Sequence, residues 1–340
     1  MKINHDFKRN STFGKTVRKL LSERSILGYF RNRFEWHVLP RVFYLKNYPI
    51  HLDIEPTSHC QLHCPMCFRE HRKIENEGIM PLDLYKRIID EIEGKVYSIK
   101  FTGRGEPLIN KKFNLFLEYL KDKDFKEVAL ITNGQLLTEK LMNCMIDTGM
   151  DRIAFSIDGL KKEYEEIRAP IKYEEIYEIV KKLHELKKQR GSTKPLIRIQ
   201  AVDSCVTDKE EFLKKWEPVS DEVNFLVFKD YSADKHSSKQ AAYACPFLYQ
   251  RLMVHWNGTV PMCVNDEYEE GVVGEVRSNP VHYVWHGKRM KGARKAHKMG
   301  LRDEAYKNCA KCALHREHHG FDNILYKVST LVDKVRTEKQ

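Results

Sequence analysis

The strongest constraint on the fold is a regular alternation of short β-prone runs with amphipathic helical segments between residue 50 and about residue 230. Six runs are strand candidates: "IHLDIE" (50–55), "YSIKFTG" (97–103), "EVALITN" (127–133), "RIAFSID" (152–158), "LIRIQAV" (196–202) and "VNFLVFK" (223–229). Strands that alternate with helices form right-handed crossovers and a parallel sheet. Since a closed barrel needs two more units, we predict an α/β fold, a partial (β/α)6 TIM-like barrel with its active site at the carboxyl ends of the strands.

The sequence pattern changes after residue 240, where cysteine and histidine become more frequent and the periodicity weakens. Asn257-Gly258 lies between two short apolar runs, and Asn-Gly is the strongest local hairpin signal. We therefore predict a small C-terminal Cys-rich α+β extension. The chain divides into a basic amphipathic arm (1–48), the barrel (49–235), the cysteine-rich domain (240–320) and a C-terminal helix (321–340).

Three cysteines, Cys60, Cys64 and Cys67, stand in the segment "TSHCQLHCPMCFRE" directly after the first predicted strand. They lie where the active site of a parallel α/β protein is expected. The C-x3-C-x2-C spacing lets one loop bind three corners of a cubane iron–sulfur cluster, which leaves the fourth iron open. The triplet alone also permits a structural zinc site, with His63 or His71 as the fourth ligand.

A second motif, "FTGRGEPL" (101–108), ends the second predicted strand. Gly103 and Gly105 permit close approach of the backbone to a ligand, and Glu106 offers an acceptor for an ammonium group. Together with the cysteine triplet, this motif resembles the radical S-adenosylmethionine (SAM) superfamily. The resemblance implies that SAM chelates the open iron of a [4Fe–4S] cluster. It also implies that one-electron cleavage of SAM yields a 5′-deoxyadenosyl radical that abstracts hydrogen from a substrate.

The same resemblance implies further SAM contacts. Met66 takes a position that the family commonly fills with an aromatic residue. Ser156 and Asp158 end strand four in "AFSIDG", and Arg168 follows in "YEEIRAP", where its planar fork could pair with the cofactor carboxylate. Considered without the resemblance, Ser156 and Asp158 could instead cap the following helix, and Arg168 could be a surface charge.

A second group of cysteines, Cys245, Cys263, Cys309 and Cys312, has the spacing C-x12-G-x4-C followed by a distant C-x2-C. This spacing suits one four-ligand site and by itself permits either zinc or a [4Fe–4S] cluster. The run resembles the SPASM/twitch-type extension of radical SAM enzymes. That resemblance implies one auxiliary [4Fe–4S] cluster with four cysteine ligands, whose role would be electron transfer because none of its irons is open.

Positive charge is concentrated near the N-terminus, where residues 1–45 hold ten Lys and Arg against three Asp and Glu, a net +7 of the total +11. This arm could pack on the barrel, or it could contact an anionic membrane surface or an acidic partner. We expect no nucleic-acid binding, because no recognition module accompanies the charge. The odd count of nine cysteines and the lack of an apolar signal region or membrane span predict a cytoplasmic protein.

These resemblances, together with the positive net charge, predict a radical SAM oxidoreductase that acts on a small polar or anionic substrate, such as a sugar or nucleotide-sugar. An external flavodoxin or ferredoxin would reduce the enzyme. Asp266 and Tyr231 are candidate bases. Cys205, after strand five, is a candidate hydrogen donor if the enzyme is an epimerase. A peptide- or protein-modifying radical SAM enzyme is a competing hypothesis, and a non-catalytic, zinc-stapled binding protein is a third.

Overall fold

The computed structural model describes residues 26–226 and 245–301, together with Tyr306, Cys309 and Cys312. Several predictions therefore lie outside the described residues. They include the first part of the basic arm, the candidate base Tyr231, the domain boundary between 235 and 240, and the helix at 321–340.

A parallel sheet of seven strands, in the order β6-β5-β4-β3-β2-β1-β7, forms the body of the described chain. Its strands are β1 (His51–Ile54), β2 (Ser98–Phe101), β3 (Glu127–Thr132), β4 (Arg152–Ser156), β5 (Leu196–Val202), β6 (Glu222–Leu226) and β7 (Arg251–Val254). Every neighbouring pair is parallel. The six predicted strands and the α/β, TIM-like class are confirmed.

The seventh strand is a departure from the sequence prediction, which gave β7 only a hairpin role. β7 pairs in parallel with β1, so that Arg251 lies opposite His51. The predicted turn exists, with Gly258 at φ +88°, but the next strand, β8 (Thr259–Pro261), pairs antiparallel with β9 (Val272–Glu275). An Asn-Gly pair predicts only a local chain reversal. It carries no information about pairing with the free edge of β1, which is far away in sequence.

The described helices fill the crossovers and cover the outer side of the sheet. They are α1 (Ile26–Val38), α2 (Leu82–Ile92), α3 (Phe113–Leu120), α4 (Glu139–Asp147), α5 (Lys161–Ile167), α6 (Tyr173–Gln189), α7 (Lys209–Trp216), α8 (Phe247–Gln250), α9 (Val281–Trp285) and α10 (Lys288–Lys298). Local sequence sets several of their starts. Thr138 caps α4 and Asp208 caps α7, each side chain accepting a bond from a backbone N–H in the first turn.

The sheet has one apolar face and one polar face, because side chains alternate along each strand. On β1, Leu52 and Ile54 are fully buried in the apolar cluster that also includes the helices. The alternate positions, His51 and Asp53, face the inside of the partial barrel, where Asp53 forms ion pairs with neighbouring strands. The interior of this barrel is therefore polar.

The described part of the basic arm packs on the body of the protein. Gln250 Nε2 donates to the carbonyl of Trp36 on α1 at 2.6 Å, and Trp285 Nε1 donates to the carbonyl of Lys46 at 2.9 Å. Residues 26–48 thus pack on the body of the protein, which is the first of the alternatives predicted for the basic arm. Among the described helices, none combines the length and the apolar character needed to cross a bilayer.

Candidate active site

The cysteine loop leaves β1 at the carboxyl end of the sheet and is held by a second segment of chain. Thr57 Oγ1 donates to the carbonyl of Gly78 at 2.7 Å, and the backbone N–H of Gly78 donates to Ser58 Oγ at 2.9 Å. Inside the loop, the N–H of Cys67 donates to the carbonyl of Cys64 at 2.8 Å. This turn folds the loop back, so that its thiols share one space.

The thiols of Cys60, Cys64 and Cys67 influence one another electrostatically. Burial raises the pKa of each thiol, and a neighbouring thiol of the triplet raises it further. Three thiols close enough to affect one another, on one C-x3-C-x2-C loop, fit a polynuclear cluster whose irons occupy separate corners.

The two histidines that could complete a zinc site do not do so. The side chain of His63 is 84% exposed, and its Nδ1 lies 3.1 Å from Glu70 Oε1. His71 is also exposed. The zinc hypothesis for the first cysteine group therefore lacks its fourth ligand.

Glu106 is a buried carboxylate beside the cysteine loop. Its Oε1 accepts bonds from Thr132 Oγ1 at 2.6 Å and from the N–H of Leu108 at 3.1 Å, and its Oε2 accepts one from the N–H of Asn133 at 2.7 Å. Burial raises the pKa of Glu106 even though these donors act to lower it. A bound ammonium group would supply the positive charge that these neutral donors lack.

The two glycines of the second motif join this motif to the cysteine loop. A Cβ atom on Gly105 would stand 2.3 Å from the carbonyl oxygen of His59 and 2.6 Å from that of Thr57. Gly103 has φ +155°, and its Cβ would stand 2.7 Å from Glu55 Cγ. The close approach that the sequence suggested for a ligand is therefore made by the chain itself, immediately before the first cysteine.

Gly105→Ala tests this contact. We expect the new methyl group to push the cysteine loop away, reducing bound iron by about half and the free energy of unfolding by about 1–3 kcal/mol. Gly292→Ala on α10 is the control: its Cβ would meet no atom within 4 Å, and it should stabilise the helix by about 0.5–1 kcal/mol. Iron content and denaturant unfolding measure both. Full iron content and unchanged stability in Gly105→Ala would refute the packing argument.

Asp158 and Arg168 form a buried pair near the second cysteine. Asp158 is 1% exposed; its Oδ1 accepts from the N–H of Val202 at 2.6 Å and its Oδ2 from Arg168 Nε at 2.8 Å. Burial alone would lower the pKa of Arg168, but Asp158 and Cys64 beside it raise it. The surface-charge interpretation of Arg168 is therefore wrong. So is the capping interpretation of Asp158, because the N-cap of α5 is Leu160.

The other two predicted SAM contacts, Ser156 and Met66, stay predictions. Ser156, at the end of β4, accepts a bond from Gln200 Nε2 at 3.3 Å. Met66 is half-buried and packs against the apolar cluster. Cys205 is half-buried in the 3-10 turn after β5, where burial and then Asp158 raise the pKa of its thiol. Its role as a hydrogen donor stays a prediction.

A buried ionic network centred on Arg104, beside the site, was missed by the sequence reasoning. Arg104 Nε and Nη2 donate to the two oxygens of Glu55, each at 2.9 Å, and Nη1 lies 3.2 Å from Glu269 Oε1. His255 Nδ1 lies 2.6 Å from the same Glu269 oxygen. The network joins the ends of β1, β2 and β7 to the C-terminal region. A charged residue, Glu55, within an apolar strand run was the one available signal.

The second cysteine group gathers in the C-terminal region. Burial raises the pKa of Cys245 to about 12, with Cys312 and Cys309 beside it adding to the effect. The N–H of Cys309 donates to the carbonyl of Tyr306 at 2.9 Å. Burial and Asp266 raise the pKa of the Tyr306 hydroxyl, and Cys263 raises it further. Cys245, Cys309 and Cys312 therefore lie close together, and Cys263 lies near Tyr306 in the same region; that the four thiols hold one closed cluster stays a prediction.

Asp266 is placed where it holds this region together. It is 1% exposed, and it accepts bonds from the N–H of Glu270 at 2.9 Å, the N–H of Gly271 at 2.8 Å and the hydroxyl of Tyr306 at 2.6 Å. Three donors on a buried carboxylate favour a structural role. That Asp266 is a base stays a prediction with no geometric support.

Two family models match the chain. Residues 54–197 match the model described as the radical SAM superfamily, and residues 245–313 match the SPASM model, an iron-sulfur cluster-binding domain. The first range contains the cysteine triplet, Glu106 and Arg168, and the second contains the four cysteines of the auxiliary site. The two resemblances drawn from the sequence are confirmed.

Curated relatives match less than half of the chain. A tungsten-containing aldehyde ferredoxin oxidoreductase cofactor-modifying protein of Pyrococcus furiosus is 33% identical over 159 residues, which is 45% of this chain and 43% of the relative. A probable GTP 3′,8-cyclase of Methanococcus maripaludis is 33% identical over 152 residues, which is 44% of this chain and 49% of the relative. The chain thus matches less than half of the length of either relative.

Solved structures share the fold at low sequence identity. BtrN in complex with AdoMet and 2-DOIA has a TM-score of 0.52 at 20% identity, covering 79% of this chain and 94% of BtrN. Streptococcus suis SuiB bound to S-adenosylmethionine has a TM-score of 0.55 at 16% identity, covering 83% and 75%. Native anSMEcpe with bound AdoMet has a TM-score of 0.55 at 15% identity, covering 84% and 100%. With both family models matched in the expected order, residues 54–197 belong to the radical SAM superfamily and residues 245–313 to the SPASM iron–sulfur cluster-binding domains.

Proposed function

We propose that this protein is a radical SAM oxidoreductase that acts on a small polar or anionic molecule. The [4Fe–4S] cluster, bound by Cys60, Cys64 and Cys67, would supply the electron that cleaves SAM, and the resulting 5′-deoxyadenosyl radical would remove hydrogen from the substrate. The four-cysteine cluster of the SPASM region would accept an electron, and an external one-electron carrier would reduce the first cluster.

The chain's own residues would bind and orient SAM at this site. Glu106, which already collects three donors, would receive the ammonium group. Arg168 lies beside Cys64 and would pair with the SAM carboxylate through its fork. Asp158 would orient Arg168 through the bond to Nε. Glu106 would therefore bind the ammonium group of SAM, and Arg168 would bind its carboxylate.

The polar inner face of the barrel is the observation that carries the choice of substrate. Arg251 Nε donates to Asp53 at 2.8 Å, and Lys100 Nζ lies 3.1 Å from the same carboxylate. Burial alone would raise the pKa of Asp53, but Arg251 and Lys100 hold it well below its usual range. These ionised groups are paired with one another and buried, and they give this part of the barrel a polar lining that offers little apolar surface to a substrate.

Farther along the inner face the charges continue. Arg198 Nε donates to Glu222 at 2.8 Å, and Arg152 Nη1 lies 3.6 Å from the same residue. Within the described strands, four cations share three carboxylates: Lys100, Arg152, Arg198 and Arg251 with Asp53, Glu127 and Glu222. This charged inner face suits a polar substrate better than an apolar one.

The relatives support two substrate classes. The names of the Pyrococcus and Methanococcus relatives refer to a cofactor and to GTP, which are small molecules. SuiB and anSMEcpe, in contrast, have been solved with bound peptides. A peptide- or protein-modifying activity is therefore the second candidate function.

The experiment compares the two classes directly. The protein is purified and reconstituted without oxygen, and 5′-deoxyadenosine is measured after addition of SAM, a reductant and either the low-molecular-weight anionic fraction or the peptide fraction of a cell extract. We expect the anionic small-molecule fraction to stimulate cleavage. Stimulation by the peptide fraction alone would overturn the substrate class and favour the second candidate.

The same assay in deuterated water tests the epimerase hypothesis. Oxidation removes hydrogen from the substrate and returns none, whereas an epimerase returns a hydrogen atom from an exchangeable thiol to the substrate radical. We expect Cys205→Ala to leave turnover unchanged. Loss of turnover together with loss of deuterium incorporation would establish Cys205 as the hydrogen donor.

A further inference from the structure

Tyr164, on α5, carries a hydroxyl group that the site described above does not use. The residue is fully buried, with 0% of its surface exposed. Within the described part of the chain, its Oη has no hydrogen-bond partner. Buried hydroxyls are almost always paired, so an orphaned hydroxyl that lies beside a cofactor site is a candidate donor to that cofactor.

The position of Tyr164 indicates where that acceptor belongs. The backbone N–H of Arg168 donates to the carbonyl of Tyr164 at 2.7 Å, so the two residues are one helical turn apart on the same face. Burial raises the pKa of the Tyr164 hydroxyl, and the groups with the largest further effect on that pKa are Arg168, Cys64 and Asp158. The hydroxyl therefore belongs to the wall of the cysteine site.

Electron-rich sulfur is the acceptor that this site would provide. A cysteine bound to iron is a thiolate, which is a stronger acceptor than a thiol, and the cluster adds sulfides nearby. Hydrogen bonds to these sulfurs are one of the means by which a protein sets the potential of an iron–sulfur cluster. They favour the reduced form because it carries more negative charge.

We propose that Tyr164 donates a hydrogen bond to sulfur of the SAM-binding cluster, at the Cys64 thiolate or an adjacent sulfide, and thereby raises the reduction potential of that cluster. The inference rests on the proposed function in requiring a cluster at Cys60, Cys64 and Cys67. It assigns Tyr164 a tuning role: the residue acts on the electron that starts the reaction and does not touch the substrate.

The chain contains a matched control for this hydroxyl. Tyr173, at the start of α6, is 2% exposed, and its Oη is also buried without a partner in the described structure. Its ring packs edge-on against that of Tyr164, with centroids 6.0 Å apart. The groups that act on the Tyr173 hydroxyl are Glu174, Tyr177 and Glu211. Tyr164→Phe and Tyr173→Phe therefore remove the same atom from similar surroundings, one next to a cysteine ligand and one away from it.

The test is a potentiometric titration of the reconstituted protein, followed by electron paramagnetic resonance of the SAM-binding cluster. In Tyr164→Phe we expect a more negative potential, corresponding to about a tenfold loss in the reduction equilibrium, or about 59 mV for one electron. Tyr173→Phe should titrate like the wild type. An unchanged potential in Tyr164→Phe, or an equal shift in both variants, would overturn the proposal.

Thermal unfolding gives a second readout. Without iron, both variants should be at least as stable as the wild type, because each loses an unpaired buried hydroxyl. With clusters bound, Tyr164→Phe alone should lose stability relative to the wild type; equal behaviour of the two variants would contradict the hydrogen bond. A wild-type protein that binds no cluster at the triplet would refute the proposed function itself. A wild type that cleaves SAM beside an unshifted Tyr164→Phe would refute only the role of Tyr164.

Discussion

Replacing Cys64 with alanine will abolish SAM cleavage and leave about four irons per chain in the protein. Cys64 is buried. Burial raises the pKa of its thiol, and Arg168 and Cys67 both lie close enough to shift that pKa as well. Two cysteines cannot hold a cubane in place of three, so the cluster with the open iron is lost. The auxiliary cysteines lie in a separate group around Cys245, and their cluster should remain.

Cys144→Ala is the matched control for this change. Cys144 lies on α4, half-buried, with its thiol 3.8 Å from the carbonyl of Asn114. We expect this variant to keep about eight irons and full SAM cleavage, measured as 5′-deoxyadenosine formed per chain. SAM cleavage that persists in Cys64→Ala, or a loss of all iron from it, would contradict the division into two independent clusters.

Arg104→Met will have the largest effect on stability, lowering the free energy of unfolding by about 3–5 kcal/mol. The side chain of Arg104 is 4% exposed and that of Glu55 is 0% exposed. Removal of the guanidinium leaves the Glu55 carboxylate buried without its counter-charge, and it also takes one partner from Glu269. Denaturant unfolding of the iron-free protein isolates this effect from cluster loss.

Two further variants make the stability test specific. Arg104→Met combined with Glu55→Met should recover most of the loss, since a buried pair replaced on both sides is often neutral. Lys162→Ala removes one member of an exposed pair, with side chains of Lys162 and Glu166 that are 90% and 67% exposed, and should cost less than about 1 kcal/mol. If Arg104→Met costs no more than Lys162→Ala, the network does not stabilise the fold.

Local patterns predicted the parts of the fold that depend on short stretches of chain. The six strands could be located because β-branched residues, alternation and flanking turn residues all lie within each run. β7 could not, because its partner β1 lies far from it in sequence, and nothing in residues 251–254 specifies that edge. Asn257-Gly258 correctly predicted the turn but did not predict which strands pair.

The candidate site shows the same division. Cys60, Glu106 and Arg168 could be singled out from motifs that follow strands β1, β2 and β4, because parallel strands bring their carboxyl ends together. The Arg104 network could not, since Glu55, Arg104 and Glu269 are far apart in sequence and no motif links them. Asp266 was singled out for its position after a cysteine, yet three donors surround its carboxylate. Glu106 has three donors as well, but it lies beside the cysteine loop, whereas Asp266 is bonded to the Tyr306 hydroxyl of the C-terminal region.

The central claim is that one chain holds an open cluster on three cysteines and a closed cluster on four. The most direct test is the iron, sulfide and zinc content of the anaerobically purified and reconstituted protein. We predict about eight irons and eight sulfides per chain, falling to about four of each when Cys60, Cys64 and Cys67 are all replaced by alanine. Two zinc ions per chain without sulfide would contradict the claim.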